Sequence, residues 1–223
     1  TDSTCCLAAS YQAKAFGVKT GTNVGEARKM CPGIVFVEAD HRKYMDYHHR
    51  IVAAVESCLP VTKVMSVDEM ACRLTGRDQK LENAIELSHQ VKRRILEVGE
   101  VLTSSVGLGP SRFLSKVASD MQKPDGLTIL EPKDLPYKLL RLIPRDLPGI
   151  GANMEIRLHE RGVRTMEQLY ALDVHSMRAI WNGVVGERYY QWLRGADLDY
   201  QFEDTKSIGH SNVLSPEFRN QTG

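Results

Sequence analysis

The chain has 223 residues, of which 42% are hydrophobic and 26% charged, as is typical of one large or two modest globular domains. No apolar run has the length of a bilayer span, and no signal peptide is expected. The five cysteines lack metal-type spacing, which predicts reduced, mostly buried thiols and a cytoplasmic location. The net charge of +1 argues against extensive phosphate contact unless acidic and basic residues are segregated.

The N-terminal segment is expected to form a small unit of helices and strands that ends near Asp40. The predicted elements are a strand at residues 5–9, helices at 11–16 and 24–30, and a strand at 34–37. Tyr11 and Lys14 are three residues apart, so a helical turn places a phenol and an ammonium on one face. Together they could hold a phosphate group, although an ordinary surface turn explains the pair equally well.

A long amphipathic helix is predicted at residues 42–59. Its core-facing positions are expected to be Tyr44, Tyr47, His48, Ile51, Val55 and Cys58. A metal site formed by the histidines at 41, 48 and 49 is disfavoured. Adjacent histidines point to different faces of a helix, and no acid or cysteine completes the set.

The next segment places two adjacent carboxylates, Asp68 and Glu69, between two predicted strands. The apolar run at 61–67 predicts a buried strand, and the alternating pattern that follows predicts a second strand, ended by Gly76. Adjacent acids repel each other unless a cation lies between them, and oxygen ligands suit Mg²⁺. The alternative is a solvated hairpin turn. We expect both acids at the edge of a sheet that includes a strand at 101–108.

A helix is then predicted at residues 81–98, the strand at 101–108, and a helix at 112–122. This alternation predicts a layered sheet with helices on one face. Gly107 and Gly109 precede a helix start, which is a weak signal for a phosphate site. Lys116 and Lys123 are two helical turns apart and share a face, but matching of the helix dipole would also explain Lys123.

Beyond Leu130 short helices replace strands, so we expect a domain boundary near residue 131. The predicted helices are 133–142, 154–161, 166–172, 174–181 and 186–194. Leu147-Pro148-Gly149-Ile150-Gly151 has the pattern of a helix-hairpin-helix, whose free amides can bind a DNA phosphate without reading a base. The alternative is an ordinary helical corner. A Gly149→Val substitution is expected to block the phosphate and to change the surrounding helices little.

Four segments, in this order, resemble motifs of the Y-family (translesion, ImpB/MucB/SamB-like) DNA polymerases. They are residues 10–18 (fingers), 66–69 (acidic palm motif), 106–109 with 116–126 (late palm) and 147–151 (thumb). The resemblance implies an α+β fold with a palm sheet that has helices on one face, small α/β fingers, and an all-helical thumb containing the helix-hairpin-helix. The implied domains are fingers 1–40, palm 41–130, thumb 131–204 and a linker at 205–223.

The resemblance also implies roles for individual residues. Asp68 would bridge two Mg²⁺ ions, and Glu69 would bind the ion nearer the primer terminus. The incoming dNTP would be held by Tyr11, Lys14 and Lys123, and the backbone of the primer-template DNA by Lys116, Gly149, Ile150 and Gly151. A sliding clamp is a candidate partner, contacted through regions C-terminal to this chain.

Several family features have no counterpart in this sequence. They are the first metal-binding Asp, the aromatic steric gate beside it, and the basic little-finger domain, so we expect a fragment that is inactive by itself. Lys14 stands where arginine is usual, and it would bind phosphate as a point charge. Two alternatives are a non-catalytic DNA-binding paralogue with the same fold and a nucleotide cyclase, against which the hairpin argues.

Overall fold

The computed structural model describes residues 4–99 and 101–198, so the expected linker at 205–223 lies outside the described residues. The described chain is α+β and divides into two compact units, one up to Lys43 and one from Tyr44 onward. None of the described helices combines the length and hydropathy that a membrane span requires. All five cysteines are free thiols, but the expectation that they are mostly buried is wrong, since only Cys31 is buried.

The N-terminal unit contains helices α1 (Tyr11–Ala15) and α2 (Val24–Met30), close to the predicted ranges. Each begins at a polar side chain that accepts a hydrogen bond from a helix amide. Ser10 accepts from the Ala13 N–H, and Asn23 accepts from the Gly25 N–H. The small core of this unit is formed by the buried side chains of Ala13, Val18, Ala27 and Cys31.

The two strands predicted in this unit are wrong for the described residues. Residues 5–9 form only one isolated bridge, between Cys5 and Asn23. Residues 34–37 are irregular, with Val35 82% and Val37 87% exposed. β-branched residues favour a pleated, half-buried surface, but a strand also needs a hydrogen-bonded partner. No described segment pairs with 34–37.

Between His41 and Ile129 helices and strands are interspersed, whereas the described elements after Ile129 are all helical. From His41 onward the elements are α3 (His41–Glu56), β1 (Lys63–Val64), β2 (Met70–Ala71), α4 (Leu81–Val98), β3 (Val106–Leu108), α5 (Arg112–Met121), β4 (Leu127–Ile129), α6 (Ala152–Glu160), α7 (Met166–Ala171), α8 (Val174–Trp181) and α9 (Val184–Leu193). Short 3₁₀ turns lie at Gly76–Gln79, Pro132–Asp134, Leu139–Arg141 and Pro144–Asp146.

The strands form two separate two-stranded sheets. β1 and β2 are antiparallel, pairing Lys63 with Ala71 and Val64 with Met70, whereas β3 and β4 are parallel and α5 connects them. The prediction that Asp68 and Glu69 share a sheet with β3 is therefore wrong within the described residues. β3 takes β4 as its partner, and the hairpin strands pair with each other.

Two predictions of burial are also wrong. The run 61–67 forms only a short strand, in which Val64 is 44% exposed. Among the predicted core positions of α3, Val55 is buried, but Tyr44 and Tyr47 are exposed. Helical spacing shows which residues share a face, but it does not show whether another element covers that face.

The predicted α-helix at 133–142 is replaced by two 3₁₀ turns around Pro136. Proline lacks an N–H group and its ring clashes with the preceding turn of an α-helix, which explains the interruption. The other C-terminal helices agree with their predicted ranges to within about two residues.

A single core joins β4, α5 and the C-terminal helices. Its fully buried side chains include Leu114, Val117, Leu130, Leu139, Leu147, Leu158, Met166, Leu169, Met177 and Leu193. Helix α5 approaches β3 closely, because a Cβ atom at Gly107 would lie 2.0 Å from the Ser115 carbonyl oxygen. Close helix packing therefore explains Gly107, for which the sequence suggested a phosphate site.

Candidate active site

The two adjacent acids lie where β1 turns into β2. The Met65 N–H donates to the Glu69 carbonyl at 2.8 Å, which closes the turn. Inside the turn, the Ser66 hydroxyl donates to Asp68 Oδ1 at 2.7 Å. His48 Nδ1 of α3 lies 2.8 Å from the Val67 carbonyl oxygen. The pair thus occupies a hairpin turn, as the alternative interpretation expected, and a neighbouring helix anchors that turn.

Helix α5 brings a lysine to this hairpin. Lys116 Nζ donates to Glu69 Oε1 and, at 3.2 Å, to Asp120 Oδ1. The Asp120 Oδ1 atom also lies 2.7 Å from Lys123 Nζ. Glu69, Lys116, Asp120 and Lys123 therefore form a continuous series of alternating charges, which we call the ion-pair chain.

The ion-pair chain keeps the Lys116 ammonium charged. Partial burial lowers the pKa of Lys116, but its hydrogen bonds to Glu69 and Asp120, with their negative charges, raise the pKa above its ordinary value. The side chains of Lys116 and Glu69 are 33% and 40% exposed, so solvent reaches this contact. The predicted role of Lys116 at the DNA backbone stays a prediction, since its described partners are carboxylates.

The hairpin fits a divalent cation by its chemistry. Asp68 and Glu69 supply carboxylate oxygens, the ligands that Mg²⁺ prefers, and the ammonium against Glu69 shows that a cation is favourable there. Within the described residues no three His, Cys, Asp or Glu side chains gather in a metal-binding arrangement. The remaining ligands would come from water and substrate, as is common for Mg²⁺.

Lys123 lies on the turn after α5, and this turn is held by a lysine of another helix. Lys92 Nζ of α4 donates to the Asp125 carboxylate at 2.6 Å and to the carbonyls of Asp125 at 2.8 Å and Ser104 at 2.5 Å. The Lys92 side chain is only 15% exposed. The sequence did not reveal this contact, because the partners of Lys92 are 12 and 33 residues away.

Tyr11 and Lys14 lie on α1 of the N-terminal unit. The Lys14 ammonium stands 4.7 Å from the centroid of the Tyr11 ring, so the two side chains share a face as predicted. Both residues are exposed. Their convergence with Lys123 on one cleft stays a prediction.

The predicted hairpin of the C-terminal region lies between the 3₁₀ turn at Pro144–Asp146 and helix α6. Gly149 has a φ of +86°, which favours glycine, and Gly151 caps α6. A shallow pocket is lined here by Gly149, Gly151, Ala152, Asn153, Met154 and Arg157. Amides at the start of a helix and an arginine suit an anion.

The structure corrects two expectations for this hairpin. Ile150 is 4% exposed and its N–H donates to the Leu147 carbonyl at 3.1 Å, which argues against the predicted DNA contact of Ile150. A Cβ atom at Gly149 would lie 2.4 Å from the hydroxyl oxygen of Tyr189, which donates to the Pro148 carbonyl. Gly149→Val would therefore disturb the core, contrary to the expected small change.

Comparison with protein families gives two matches. Residues 1–120 match the impB/mucB/samB family, and residues 145–197 match the DNA polymerase-iota thumb domain. The chain is similar to DNA polymerase IV of Moorella thermoacetica, at 39% identity over 96% of this chain and 54% of that relative. For DNA polymerase IV of Pelotomaculum thermopropionicum the identity is 36%, over 95% of this chain and 53% of that relative.

Solved structures give the same result. The chain resembles a Y-family DNA polymerase chimera with a TM-score of 0.78 and 27% identity, over 89% of this chain and 58% of that one. It resembles DinB from Sulfolobus solfataricus with a TM-score of 0.72 and 28% identity, over 83% of this chain and 54% of that one. The chain spans about half the length of the curated relatives it matches. It belongs to the impB/mucB/samB family, that of the Y-family DNA polymerases.

Proposed function

We propose that the protein containing this chain is a template-directed DNA polymerase of the translesion type, which joins an incoming dNTP to a primer on damaged templates. The observation that carries the proposal is the hairpin that presents Asp68 and Glu69 next to Lys116 of α5. Relatives named DNA polymerase IV support it, as does likeness to an insertion ternary complex of Dbh DNA polymerase, with a TM-score of 0.75.

Asp68 and Glu69 would hold two Mg²⁺ ions. When bound, these ions would stabilise the attacking and leaving oxygens of phosphoryl transfer. Asp68 would serve both ions, and Glu69 would orient the ion nearer the primer 3′-hydroxyl. The Ser66 hydroxyl, which donates to Asp68, fixes the direction of that carboxylate.

Tyr11, Lys14 and Lys123 would bind the triphosphate of the dNTP. A triphosphate carries several negative charges, so cations from more than one element are needed to offset them. The exposed ammonium of Lys14 and the phenol of Tyr11 form one such group, and Lys123 on the turn after α5 forms another. Lys116 would contact the DNA backbone, since its ammonium has three N–H donors.

Gly149 and Gly151 would present backbone amides to a DNA phosphate, with Arg157 adding a charge beside them. This mode of binding positions the duplex without reading its sequence. A sliding clamp would bind through regions outside this chain, and the protein would act in the cytoplasm.

Primer extension by the full-length natural protein with Mg²⁺ tests the proposed activity. We expect template-directed extension that Asp68→Asn or Glu69→Gln reduces by at least about 100-fold, because a metal carboxylate is lost. Lys133→Met is the control, since Lys133 is exposed and pairs only with Glu131 among its described contacts. DNA binding without extension by the wild type would favour the non-catalytic paralogue.

Duplex binding by this chain across a salt series tests the hairpin. Gly151 has ordinary backbone angles, and a Cβ there would have nothing within 4 Å, so Gly151→Val should fold normally and cover the amides. We expect weak, salt-sensitive binding that is indifferent to sequence and that Gly151→Val reduces. Ala179→Val, which introduces the same isopropyl side chain at an exposed position of α8, is the control. Equal binding by both variants would show that the hairpin is an ordinary helical corner that does not contact DNA.

A further inference from the structure

We propose that Lys116 is a built-in competitor for the divalent cation at Glu69, and that Asp120 is the carboxylate that receives its ammonium when the cation binds. This inference rests on the proposed function, since it requires a cation site at Asp68 and Glu69. The Lys116 ammonium would protect that site before the cation arrives, and it would set how tightly the cation binds.

The first argument is the position of the ammonium. Lys116 Nζ donates to Glu69 Oε1, so it covers an oxygen that a cation at this hairpin would use. A divalent cation and an ammonium repel each other and cannot share one carboxylate oxygen. Cation binding must therefore displace Lys116 from Glu69 or leave Glu69 out of the site.

The second argument is that the displaced ammonium already has a partner. Lys116 Nζ lies 3.1 Å from Asp120 Oδ2 and 3.2 Å from Asp120 Oδ1. Asp120 is four residues further along α5, on the same face of the helix. A lysine side chain has a flexible four-carbon stem, so rotation of that stem alone can move the charge from Glu69 to Asp120.

The third argument is that Asp120 is itself held in place. Lys123 Nζ lies 2.7 Å from Asp120 Oδ1, so a second ammonium holds this carboxylate in place beside Lys116. Asp120 thus serves as a positioning residue, which lowers the free-energy cost of displacing Lys116 from Glu69. Without Asp120, the Lys116 ammonium would have Glu69 as its remaining carboxylate partner in the ion-pair chain, and it would compete harder with the cation.

Mn²⁺ titration of this chain, followed by the loss of the free-ion EPR signal, tests the proposal. We expect Lys116→Met to bind Mn²⁺ roughly 10- to 30-fold more tightly, because a unit charge about 4 Å from a divalent ion repels it by about 2 kcal/mol in water, and by less when the ammonium is displaced. We expect Asp120→Asn to bind less tightly than the wild type. Lys133→Met, which breaks a similar lysine–glutamate pair outside the site, is expected to change nothing. Lys116→Gln serves as a second variant, and circular dichroism checks the fold of each.

The double variant separates competition from general electrostatics. If Asp120 acts by receiving Lys116, Asp120→Asn should cost almost nothing once Lys116→Met is present. A full Asp120→Asn penalty in that background, or unchanged affinity in Lys116→Met and Lys116→Gln, would refute the inference alone. If Asp68→Asn and Glu69→Gln leave Mn²⁺ binding of the wild type unaltered, the cation site of the proposed function and this inference both fall.

Discussion

Replacement of Lys92 by methionine is expected to destabilise the unit that begins at Tyr44, here called the C-terminal unit. Lys92 reaches from α4 to the Ser104 carbonyl and to both the carboxylate and the carbonyl of Asp125. Methionine keeps most of the side-chain volume but removes every donor. The turn between α5 and β4 then loses its link to α4, and with it the support of Lys123.

The size of the loss follows from burial and charge. Hydrogen bonds to charged groups contribute about 1.5–3 kcal/mol each, and a buried acceptor left unpaired carries its desolvation cost. The Asp125 side chain is 56% exposed and can regain water, so its contact contributes little. The part-buried contact with the Ser104 carbonyl dominates, because the Asp125 carbonyl is exposed and can also regain water. We expect the free energy of unfolding to fall by about 1.5–3 kcal/mol.

Urea unfolding followed by tryptophan fluorescence measures this change, because Trp181 and Trp192 both lie in the C-terminal unit. Lys133→Met, at a mostly exposed ion pair, is the control and should leave the urea midpoint nearly unchanged. Lys92→Arg should recover part of the stability, since it restores charged donors. Equal midpoints for Lys92→Met and Lys133→Met would refute the argument that the part-buried contact of Lys92 with the Ser104 carbonyl stabilises the fold.

Three further outcomes are expected. Gly107→Ala should lower the free energy of unfolding by about 1–3 kcal/mol, because its Cβ would meet the α5 backbone; Gly151→Ala, in open space, is the control in the same urea experiment. Thr165→Ala should cost about 1 kcal/mol, since the Thr165 hydroxyl caps α7, and a thermal melt would measure it. The Ser176 N–H donates to the Asp173 carboxylate and lowers the pKa of that carboxyl below 3.8. The ionised carboxylate therefore stabilises the fold at neutral pH, and this contribution is lost as pH falls through the lowered pKa. The acid side of the stability profile should therefore flatten in Asp173→Asn, and an unchanged profile would contradict this.

Helices were the part of the fold that the sequence predicted best. The range of α2, of α4 and of α8 agrees with its prediction at both ends. The signals for a helix are local, because capping side chains and the apolar repeat lie within a few residues of the backbone that they stabilise. A proline also ends the pattern locally, and Pro136 explains why two 3₁₀ turns replace the predicted helix at 133–142.

Strands were predicted poorly because their stability depends on distant partners. The segment 34–37 has the composition of a strand, yet no described segment pairs with it. The short β4, which carried no strong signal, forms because its backbone meets β3 in parallel register, with Val106 opposite Leu127. Composition indicates which segments tolerate a pleated conformation, whereas pairing is decided by the rest of the fold.

The site was predicted in part. The acid pair Asp68-Glu69 and the lysines Lys116 and Lys123 were found from type and spacing, and the structure brings Glu69 and Lys116 together. Asp120 received no role, although its spacing of four from Lys116 and three from Lys123 would have allowed both contacts. The support from Lys92 could not be found in this way, because no local pattern links it to Asp125.

Helix α5 explains why the core and the site depend on each other. Leu114, Val117 and Ala118 bury one face of this helix in the core, while Lys116 and Asp120 occupy the face that meets the hairpin. Gly107 sets how closely α5 packs against β3, because its missing side chain allows the close approach. A substitution that lifts α5 by even an ångström would therefore move the Lys116 ammonium relative to Glu69. Loss of cation affinity in a folded core variant of α5 would follow from geometry, without any change in the charges of the site.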